Sequence, residues 1–157
     1  MTTNPLPQFR RAELHELGLL TAVALESKAH WPYTAAQLEL WREDLSITPD
    51  MVASGLTWVL EHDIGIAGLF VLTAATPDWI LEHCWILPRR MGQGLGRLLF
   101  ERACELARTG GAEGLSIDSD PNAEGFYLAC GARRVSTYAA PIDGDPGRER
   151  PLLRLAL

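Results

Sequence analysis

Hydrophobic and polar positions along the first third of the chain repeat with the period of a helix. Apolar residues three and four positions apart predict a helix over residues 13–29. Thr34 and Gln37 form a capping-box pattern that opens a second helix, and Pro49 comes after its end. A short first strand is predicted before these helices, over residues 8–11.

The period then changes to that of strands. Residues 57–62, 64–73 and 79–87 are rich in β-branched and aromatic side chains, which favours three consecutive strands. Asp63 and nearby Gly65 suit a hairpin turn between the first two. We therefore expect an antiparallel meander in the middle of the chain.

The last third alternates helices and strands. A glycine-rich turn opens a helix that Gly110 stops, and a strand is predicted over residues 115–119. Asp120 begins another helix that ends at Gly131. Two final strands are predicted over residues 135–139 and 152–157, joined by a loop over residues 141–151. This order predicts an α/β or α+β architecture, a mixed sheet with helices on its faces.

Length and charge narrow the possible functions. The chain has 157 residues, which fits one domain over residues 1–157. Its formal net charge of -6 disfavours a nucleic-acid partner, which requires a basic surface. No apolar run approaches the length of a membrane span, and the first residues lack the apolar core of a signal peptide, so we expect a cytoplasmic protein. No histidine–cysteine cluster has the spacing of a metal site.

The glycine-rich turn is the most informative segment for chemistry. Three alternate glycines lie between a predicted strand and a predicted helix in the run Pro88-Arg89-Arg90-Met91-Gly92-Gln93-Gly94-Leu95-Gly96-Arg97. Glycine lets the backbone approach a ligand closely, and a helix start offers unpaired amides and a positive dipole end, a combination that binds phosphate groups. The run lacks the lysine of a Walker loop and the third glycine of the dinucleotide fingerprint. A turn that binds nothing is the alternative.

A second motif lies downstream, in the run Asp120-Pro121-Asn122-Ala123-Glu124-Gly125-Phe126-Tyr127-Leu128-Ala129-Cys130-Gly131-Ala132. Together the two motifs resemble those of the GNAT N-acetyltransferase superfamily. The stretch Lys28-Ala29-His30-Trp31-Pro32-Tyr33 resembles a bacterial subgroup whose substrates are mostly unassigned. The resemblance covers most of the chain and is most specific over residues 81–132. It implies a twisted, mostly antiparallel sheet of six to seven strands, with splayed central strands and about four helices on its faces.

The resemblance also implies a site for acetyl-CoA, used as an acyl donor without a metal. The pantetheine arm is expected to pair with backbone groups of Ile86 and Leu87 and to bond Asn122. The pyrophosphate is expected to lie on the turn formed by Gly92, Gln93, Gly94, Leu95, Gly96 and Arg97. The family usually has Gln or Arg where Met91 stands, which weakens this contact unless Arg90 or Arg97 compensates. Because the donors of the turn are backbone amides, we expect CoA binding to survive.

Two side chains are candidates for the catalytic roles that the resemblance implies. An alkylammonium with a pKa near 10.4 must lose a proton before it attacks a thioester, so a base is needed. Glu82, on the predicted third long strand, is the candidate base, acting through water. Tyr127 occupies the position of the family's general acid for the leaving thiolate and is also expected to contact the cofactor. A solvated strand residue and a core tyrosine are the respective alternatives.

The acceptor is the least determined part of the hypothesis. Trp31 and Tyr33 follow the first helix, where this family builds its acceptor pocket, although core packing between helices explains them equally well. We expect a small-molecule or peptide amine acceptor, no membrane partner, and a homodimer as a possibility common in similar proteins. A non-enzymatic acyl-CoA-binding module and a transferase for a longer acyl group are the competing functions.

Overall fold

The computed structural model describes residues 6–63 and 65–157. Its strands are β1 (Gln8–Arg11), β2 (Thr57–His62), β3 (Gly65–Thr73), β4 (Asp78–Ile86), β5 (Gly114–Asp118), β6 (Arg133–Ala139) and β7 (Glu149–Ala156). Its α-helices are α1 (Leu17–Lys28), α2 (Ala35–Leu40), α3 (Arg42–Leu45), α4 (Pro49–Ala53), α5 (Leu95–Thr109) and α6 (Glu124–Ala129). Residues 1–5, in the segment tested for a signal peptide, and Ile64, the predicted start of the second long strand, lie outside the described residues.

The seven strands form one sheet in the order β1-β2-β3-β4-β5-β7-β6. The pairs β1–β2, β2–β3, β5–β7 and β6–β7 are antiparallel, whereas β4–β5 is parallel. The predicted mixed and mostly antiparallel sheet is therefore confirmed. The parallel pair requires a crossover, which α5 supplies between β4 and β5.

The parallel pair separates before β4 ends. Asp78–Leu81 pair with Gly114–Ile117, but β4 continues to Ile86. The backbone of β4 beyond Leu81 thus leaves the ladder with β5, which is the splay expected between the central strands. A strand segment that has left a ladder in this way offers an edge to which an extended ligand can add.

The chain divides into two compact units, and β4 and α5 contribute residues to both. The first unit contains residues up to 71 together with residues 83–101. Its core joins one face of α1 to the inner faces of the first strands, because Leu20 and Val23 on the helix meet Val59 and Leu69 on β2 and β3. The second unit contains residues 72–82 and 102–157, with β5, β6, β7 and α6. Its fully buried side chains include Leu115, Ile117 and Leu153.

The segment predicted as the second helix differs from expectation. It forms three short helices, since α2 ends at Leu40, α3 ends at Leu45, and α4 follows. Pro49 starts α4 instead of only following a helix end. The Thr48 side chain accepts a hydrogen bond from the Met51 amide, and proline in the first helical turn loses no hydrogen bond. The sequence pattern placed Pro49 only after a helix end, and α4 was not predicted.

Candidate active site

The glycine turn has the geometry of an anion-binding helix start. Gly92 and Gly94 adopt φ values of 80° and 78°, in the left-handed region that side chains disfavour. Leu98 donates to the Gly94 carbonyl at 3.2 Å, which is the first bond of the α5 ladder. The amides of the preceding residues, including Leu95, belong to the first turn, where helical amides have no intrahelical acceptor. Residues 91–94 are exposed, whereas Leu95 is buried, so the turn itself is open to solvent.

The arginines beside the turn differ in what they can offer a ligand. Arg90 forms an ion pair with Asp63 at 3.3 Å and a short contact with His62, and its side chain is 17% exposed. Arg97 is 55% exposed and lies 3.7 Å from Glu101 on the same helix. Since Arg90 is held at the β2–β3 turn, Arg97 is the cation better placed to compensate for Met91, whose side chain is also exposed.

The end of β4 is tied to its surroundings through backbone groups. The Leu87 amide donates to Ala67 at 2.9 Å, and the Leu87 carbonyl accepts from the Arg90 amide at 2.8 Å. Both backbone groups of Leu87, which were predicted to meet the pantetheine arm, therefore already have partners within the chain. The Ile86 carbonyl accepts from the Ser27 hydroxyl at 2.8 Å. Ser27 is buried at the end of α1, so this bond fixes the first helix against the strand end that is predicted to hold the pantetheine. No motif marked Ser27 in the sequence.

The two candidate acceptor residues have different neighbours. The ring of Tyr33 packs edge-on against Trp41 at 4.8 Å between centroids, and the Lys28 ammonium lies 5.2 Å and 4.7 Å from the two ring centroids. Lys28 is 3% exposed. Cation–π attraction is strongest for such a desolvated ammonium, so this cluster stiffens the α1–α2 connection. Trp31 packs edge-on against His30 at 4.8 Å and is half-buried.

Glu82 is the first residue of β4 beyond the ladder with β5. Leu81 pairs with Ile117, and the Glu82 side chain that follows is exposed. The next residue, His83, is buried and receives a hydrogen bond at Nδ1 from the Trp85 indole at 3.0 Å. Burial lowers the pKa of His83 to about 4. His83 is therefore neutral at physiological pH.

Asn122 is held by the residue that precedes its turn. The backbone amide and the side-chain amide of Asn122 donate to Asp120 Oδ1 at 2.8 Å and 3.0 Å. Asn122 is exposed although its orientation is fixed in this way. A preoriented amide loses little entropy when it binds a ligand, which is consistent with the predicted pantetheine contact.

Tyr127 lies on α6 with its ring buried. It packs edge-on against Phe126 at 5.1 Å between centroids, and its carbonyl accepts from the Ala132 amide at 3.0 Å after the helix end. Gly131, with a φ of 101°, supplies the turn that allows this bond. Helix end and ring packing together determine where the Tyr127 phenol lies.

The predicted site residues fall into two groups. Ile86, Leu87, the turn of residues 92–97, Trp31 and Tyr33 belong to the first unit. Glu82, Asn122 and Tyr127 belong to the second unit. Ile86, Leu87, the glycine turn and Asn122 lie at strand ends, helix starts or the turns beside them, whereas Glu82 lies within β4 and the buried Tyr127 lies within α6.

A family model for the acetyltransferase (GNAT) family matches residues 19–132. The match covers well over half of the chain and includes the glycine turn, Glu82, Asn122 and Tyr127. The chain belongs to the GNAT family. The predicted family and enzyme class are thereby confirmed.

Solved GNAT structures share the fold over nearly the whole chain. A PaiA N-acetyltransferase from Thermoplasma acidophilum, in complex with coenzyme A, has a TM-score of 0.80 at 17% identity over 98% of this chain and 100% of its own. A GCN5-related N-acetyltransferase from Rhodopseudomonas palustris has a TM-score of 0.78 at 21% identity over 100% and 99%. A GNAT acetyltransferase from Brucella melitensis, in complex with acetyl-CoA, has a TM-score of 0.67 at 17% identity over 97% and 88%. No protein of curated function matches this GNAT chain in sequence.

The matches agree with the predicted CoA cosubstrate, because two of these structures were solved with CoA or its acetyl ester. Within residues 6–63 and 65–157, no three acidic, histidine or cysteine side chains come together as a metal site would require. In the same part of the GNAT chain, none of the helices combines the length and the apolar character of a membrane span.

Proposed function

We propose that this chain transfers the acetyl group of acetyl-CoA to an amine by direct attack of the amine on the thioester. The observation that carries the proposal is the turn before α5. It has two left-handed glycines and an exposed helix start within the segment that matches the acetyltransferase family. Such a turn offers backbone amides and a dipole that together bind a pyrophosphate.

Donor binding uses backbone groups at the turn and strand edge and one preoriented side chain. The amides of residues 92–97 hold the pyrophosphate, and Arg97 adds a cation beside it. The pantetheine arm adds to the part of β4 that has left the ladder with β5, next to Ile86. Asn122, fixed by Asp120, bonds an amide of the arm. These roles follow the resemblance residue by residue.

Glu82 acts as the base that deprotonates the acceptor, through a water molecule. An acceptor ammonium with a pKa near 10.4 is almost fully protonated at neutral pH, so the reaction needs a carboxylate or its equivalent beside it. Glu82 is exposed at the position where β4 leaves the ladder, which supports this role. His83 is a poor alternative base because it is buried and already receives a hydrogen bond from Trp85.

Tyr127 protonates the thiolate that leaves. A phenol with a pKa near 10 delivers its proton to a thiolate whose conjugate acid has a pKa near 8.5 at a cost of about 2 kcal/mol, before the site adjusts either value. A backbone amide at the carbonyl oxygen stabilises the tetrahedral intermediate. The nitrogen–carbon bond forms, the carbon–sulfur bond breaks, and CoA leaves as the thiol.

The acceptor is a small-molecule or peptide amine, and Trp31 and Tyr33 contribute to its binding surface. Tyr33 is stiffened by Trp41 and Lys28, which supports a role as a fixed wall. A cytoplasmic location belongs to this proposal, with a homodimer as a possibility common in similar proteins. An inactive acyl-CoA-binding module and a longer acyl donor are the alternatives.

Calorimetric titration of acetyl-CoA into the purified chain tests the donor half, with CoA, ATP and NAD as comparison ligands. We expect binding of acetyl-CoA and CoA and none of NAD or of ATP alone. The absence of CoA binding at high ligand concentration would refute the proposal. The Gly55→Ala variant, altered at a left-handed glycine outside the motif, serves as the matched control and should bind like the unsubstituted chain.

An acceptor screen that reads released thiol distinguishes the alternatives. Thiol release with an amine acceptor and acetyl-CoA supports the transferase. Tight CoA binding without product over a broad amine panel favours the binding module. A series of acyl-CoA esters of increasing length identifies a preference for a longer donor.

A further inference from the structure

A buried ion pair lies next to Asn122. Arg148 Nη2 and Asp120 Oδ2 are 4.0 Å apart, and the two side chains are only 5% and 6% exposed. Because water is largely excluded, the attraction between these charges is screened much less than that of a surface pair. Removal of either charge leaves the other buried and uncompensated.

The carboxylate of Asp120 bridges this pair to Asn122. While Oδ2 faces Arg148, Oδ1 accepts the backbone amide of Asn122 at 2.8 Å and its side-chain amide at 3.0 Å. A bond to the Asn122 side-chain NH₂ fixes the orientation of that amide, so that Asn122 Oδ1 is directed away from Asp120. This oxygen is then the acceptor offered to an N–H group of a ligand.

Arg148 also closes the connection between β6 and β7. Its Nη1 donates to the Ala140 carbonyl at 3.1 Å, and the Ala140 amide donates to the Arg148 carbonyl at 2.9 Å. Arg148 therefore holds the base of the loop that connects β6 and β7. The guanidinium thus contacts both the base of the loop and the carboxylate beside Asn122.

We propose that Arg148 and Asp120 are positioning residues that orient Asn122 toward the pantetheine arm of the acyl donor. The inference rests on the proposed function, in which Asn122 bonds that arm. Arg148 holds the Asp120 carboxylate in place, Asp120 orients the Asn122 amide, and Asn122 Oδ1 accepts from a pantetheine N–H. Neither Arg148 nor Asp120 touches the reacting atoms.

A neighbouring ion pair provides a matched control. Arg150 Nε on β7 lies 2.9 Å from Asp118 Oδ1 at the end of β5, and each residue is two positions in sequence from its counterpart in the buried pair. Asp118 Oδ2 accepts from the Tyr138 hydroxyl at 2.8 Å, so Asp118 is bonded to Tyr138 whereas Asp120 is bonded to Asn122. Arg150 also attracts Asp120 electrostatically, but it donates its hydrogen bonds to Asp118. Its loss removes a neighbouring charge and leaves the hydrogen bonds from Asn122 to Asp120 in place.

The test compares CoA with a nucleotide fragment of CoA that lacks the pantetheine arm, by calorimetry, on Arg148→Met and Arg150→Met. For Arg148→Met we expect the Kd of CoA to rise about fivefold, the equivalent of one hydrogen bond, while the Kd of the fragment stays unchanged. The Arg150→Met variant should change the Kd of CoA less than Arg148→Met does and should leave the Kd of the fragment unchanged. The fitted stoichiometry measures the folded fraction, so unfolding is separated from weakened binding.

Two further variants keep the test decisive if Arg148→Met does not fold. Asp120→Asn retains a capping oxygen but lacks the charge, and Arg148→Lys retains the charge. We expect Asp120→Asn to weaken CoA selectively and Arg148→Lys to restore part of the affinity. Equal weakening of CoA and fragment, or no change in either, overturns the positioning role. If the unsubstituted chain binds CoA but these variants do not weaken CoA more than the fragment, only this inference fails. If the unsubstituted chain binds no CoA, the proposed function fails as well.

Discussion

His83 is a buried histidine directly beside the candidate base, and its environment defines its charge. The Trp85 indole donates to Nδ1 at 3.0 Å, which places the proton of the neutral ring on Nε2. Burial lowers the pKa of His83 to about 4, because an imidazolium there would be desolvated. The residue that follows Glu82 on β4 is thus an uncharged hydrogen-bond acceptor for Trp85.

This pKa predicts an acid-sensitive stability. Above pH 6.5 the ring is neutral in both the folded and the unfolded chain, and its contribution does not change. As the pH falls from 6.5 toward 4, the unfolded chain binds a proton that the folded chain does not, so the free energy of unfolding falls, by about 3 kcal/mol in full. Urea denaturation at pH 8, 6.5, 5 and 4 measures this slope.

The His83→Gln variant should remove most of that slope, since glutamine offers an acceptor to Trp85 but does not titrate in this range. The exposed His15 provides the control, and His15→Gln should keep the slope of the unsubstituted chain. An unaltered slope in His83→Gln would show that other groups cause the acid sensitivity.

Tyr127 allows the clearest separation of chemistry from binding. Removal of its hydroxyl in Tyr127→Phe should lower kcat about a hundredfold, because general acids contribute factors of that order, while the Kd of acetyl-CoA changes little. Tyr138→Phe removes a hydroxyl bonded to Asp118 and should leave kcat unchanged. Undiminished turnover in Tyr127→Phe would exclude the acid role.

At the scale of elements, the start of α5 depends on backbone conformation more than on side chains. An alanine Cβ at Gly94 would meet no atom within 4 Å, so a substitution there strains the backbone without a clash. The positive φ costs about 1 kcal/mol for a residue with a side chain, and relief of that strain reorients the turn amides.

Gly94→Ala should therefore raise the Kd of CoA about tenfold, the equivalent of one charge-assisted hydrogen bond, with a small loss of stability. Gly55 has the same φ of 78° and only an ordinary contact, with Arg11 Cζ at 3.9 Å. Gly55→Ala should show a similar loss of stability and normal CoA affinity. Equal affinity in the two variants would mean that the turn does not bind the pyrophosphate.

Elements whose pattern is local were predicted well from the sequence. The strand at residues 57–62 agrees with β2, and the strand at 79–87 differs from β4 by one residue at each end. The last strand was expected to begin at residue 152, whereas β7 begins at Glu149. Pro151 is the last residue of the predicted loop, but in the structure it pairs with Thr137 on β6, and its carbonyl accepts from the Ser119 amide at 3.1 Å. Such pairing partners are distant in sequence, and local propensity does not reveal them.

For the candidate site, too, local motifs could be identified in the sequence, whereas long-range contacts could not. The glycine turn and the Asn122–Tyr127 motif are local and could be identified directly. The ion pair of Arg90 with Asp63 joins residues that are 27 positions apart in sequence, and the hydrogen bond from Ser27 to Ile86 joins residues that are 59 positions apart. No sequence pattern links the members of either pair. Contacts of this range depend on the completed fold, so the ion pair that holds Arg90 could not be predicted from the sequence.

At the scale of the whole molecule, the single domain expected from the chain length is a prediction about cooperativity. Two compact units are recognisable, but β4 and α5 each supply residues to both. When one half of a strand or helix unfolds, the other half becomes less stable, so elements shared by both units couple their unfolding. We therefore expect one thermal transition with equal calorimetric and van't Hoff enthalpies.

Acetyl-CoA should shift that single transition as a unit. A ligand that binds only the folded chain adds about 2.7 kcal/mol to the free energy of unfolding when its concentration is 100 times its Kd. For a chain of this size the midpoint should then rise by about 5–10 °C. Differential scanning calorimetry with and without acetyl-CoA, and with NAD as the control ligand, measures the shift. Two transitions of which acetyl-CoA moves one would contradict the single domain, because the ligand would then stabilise one unit while the other unfolds independently.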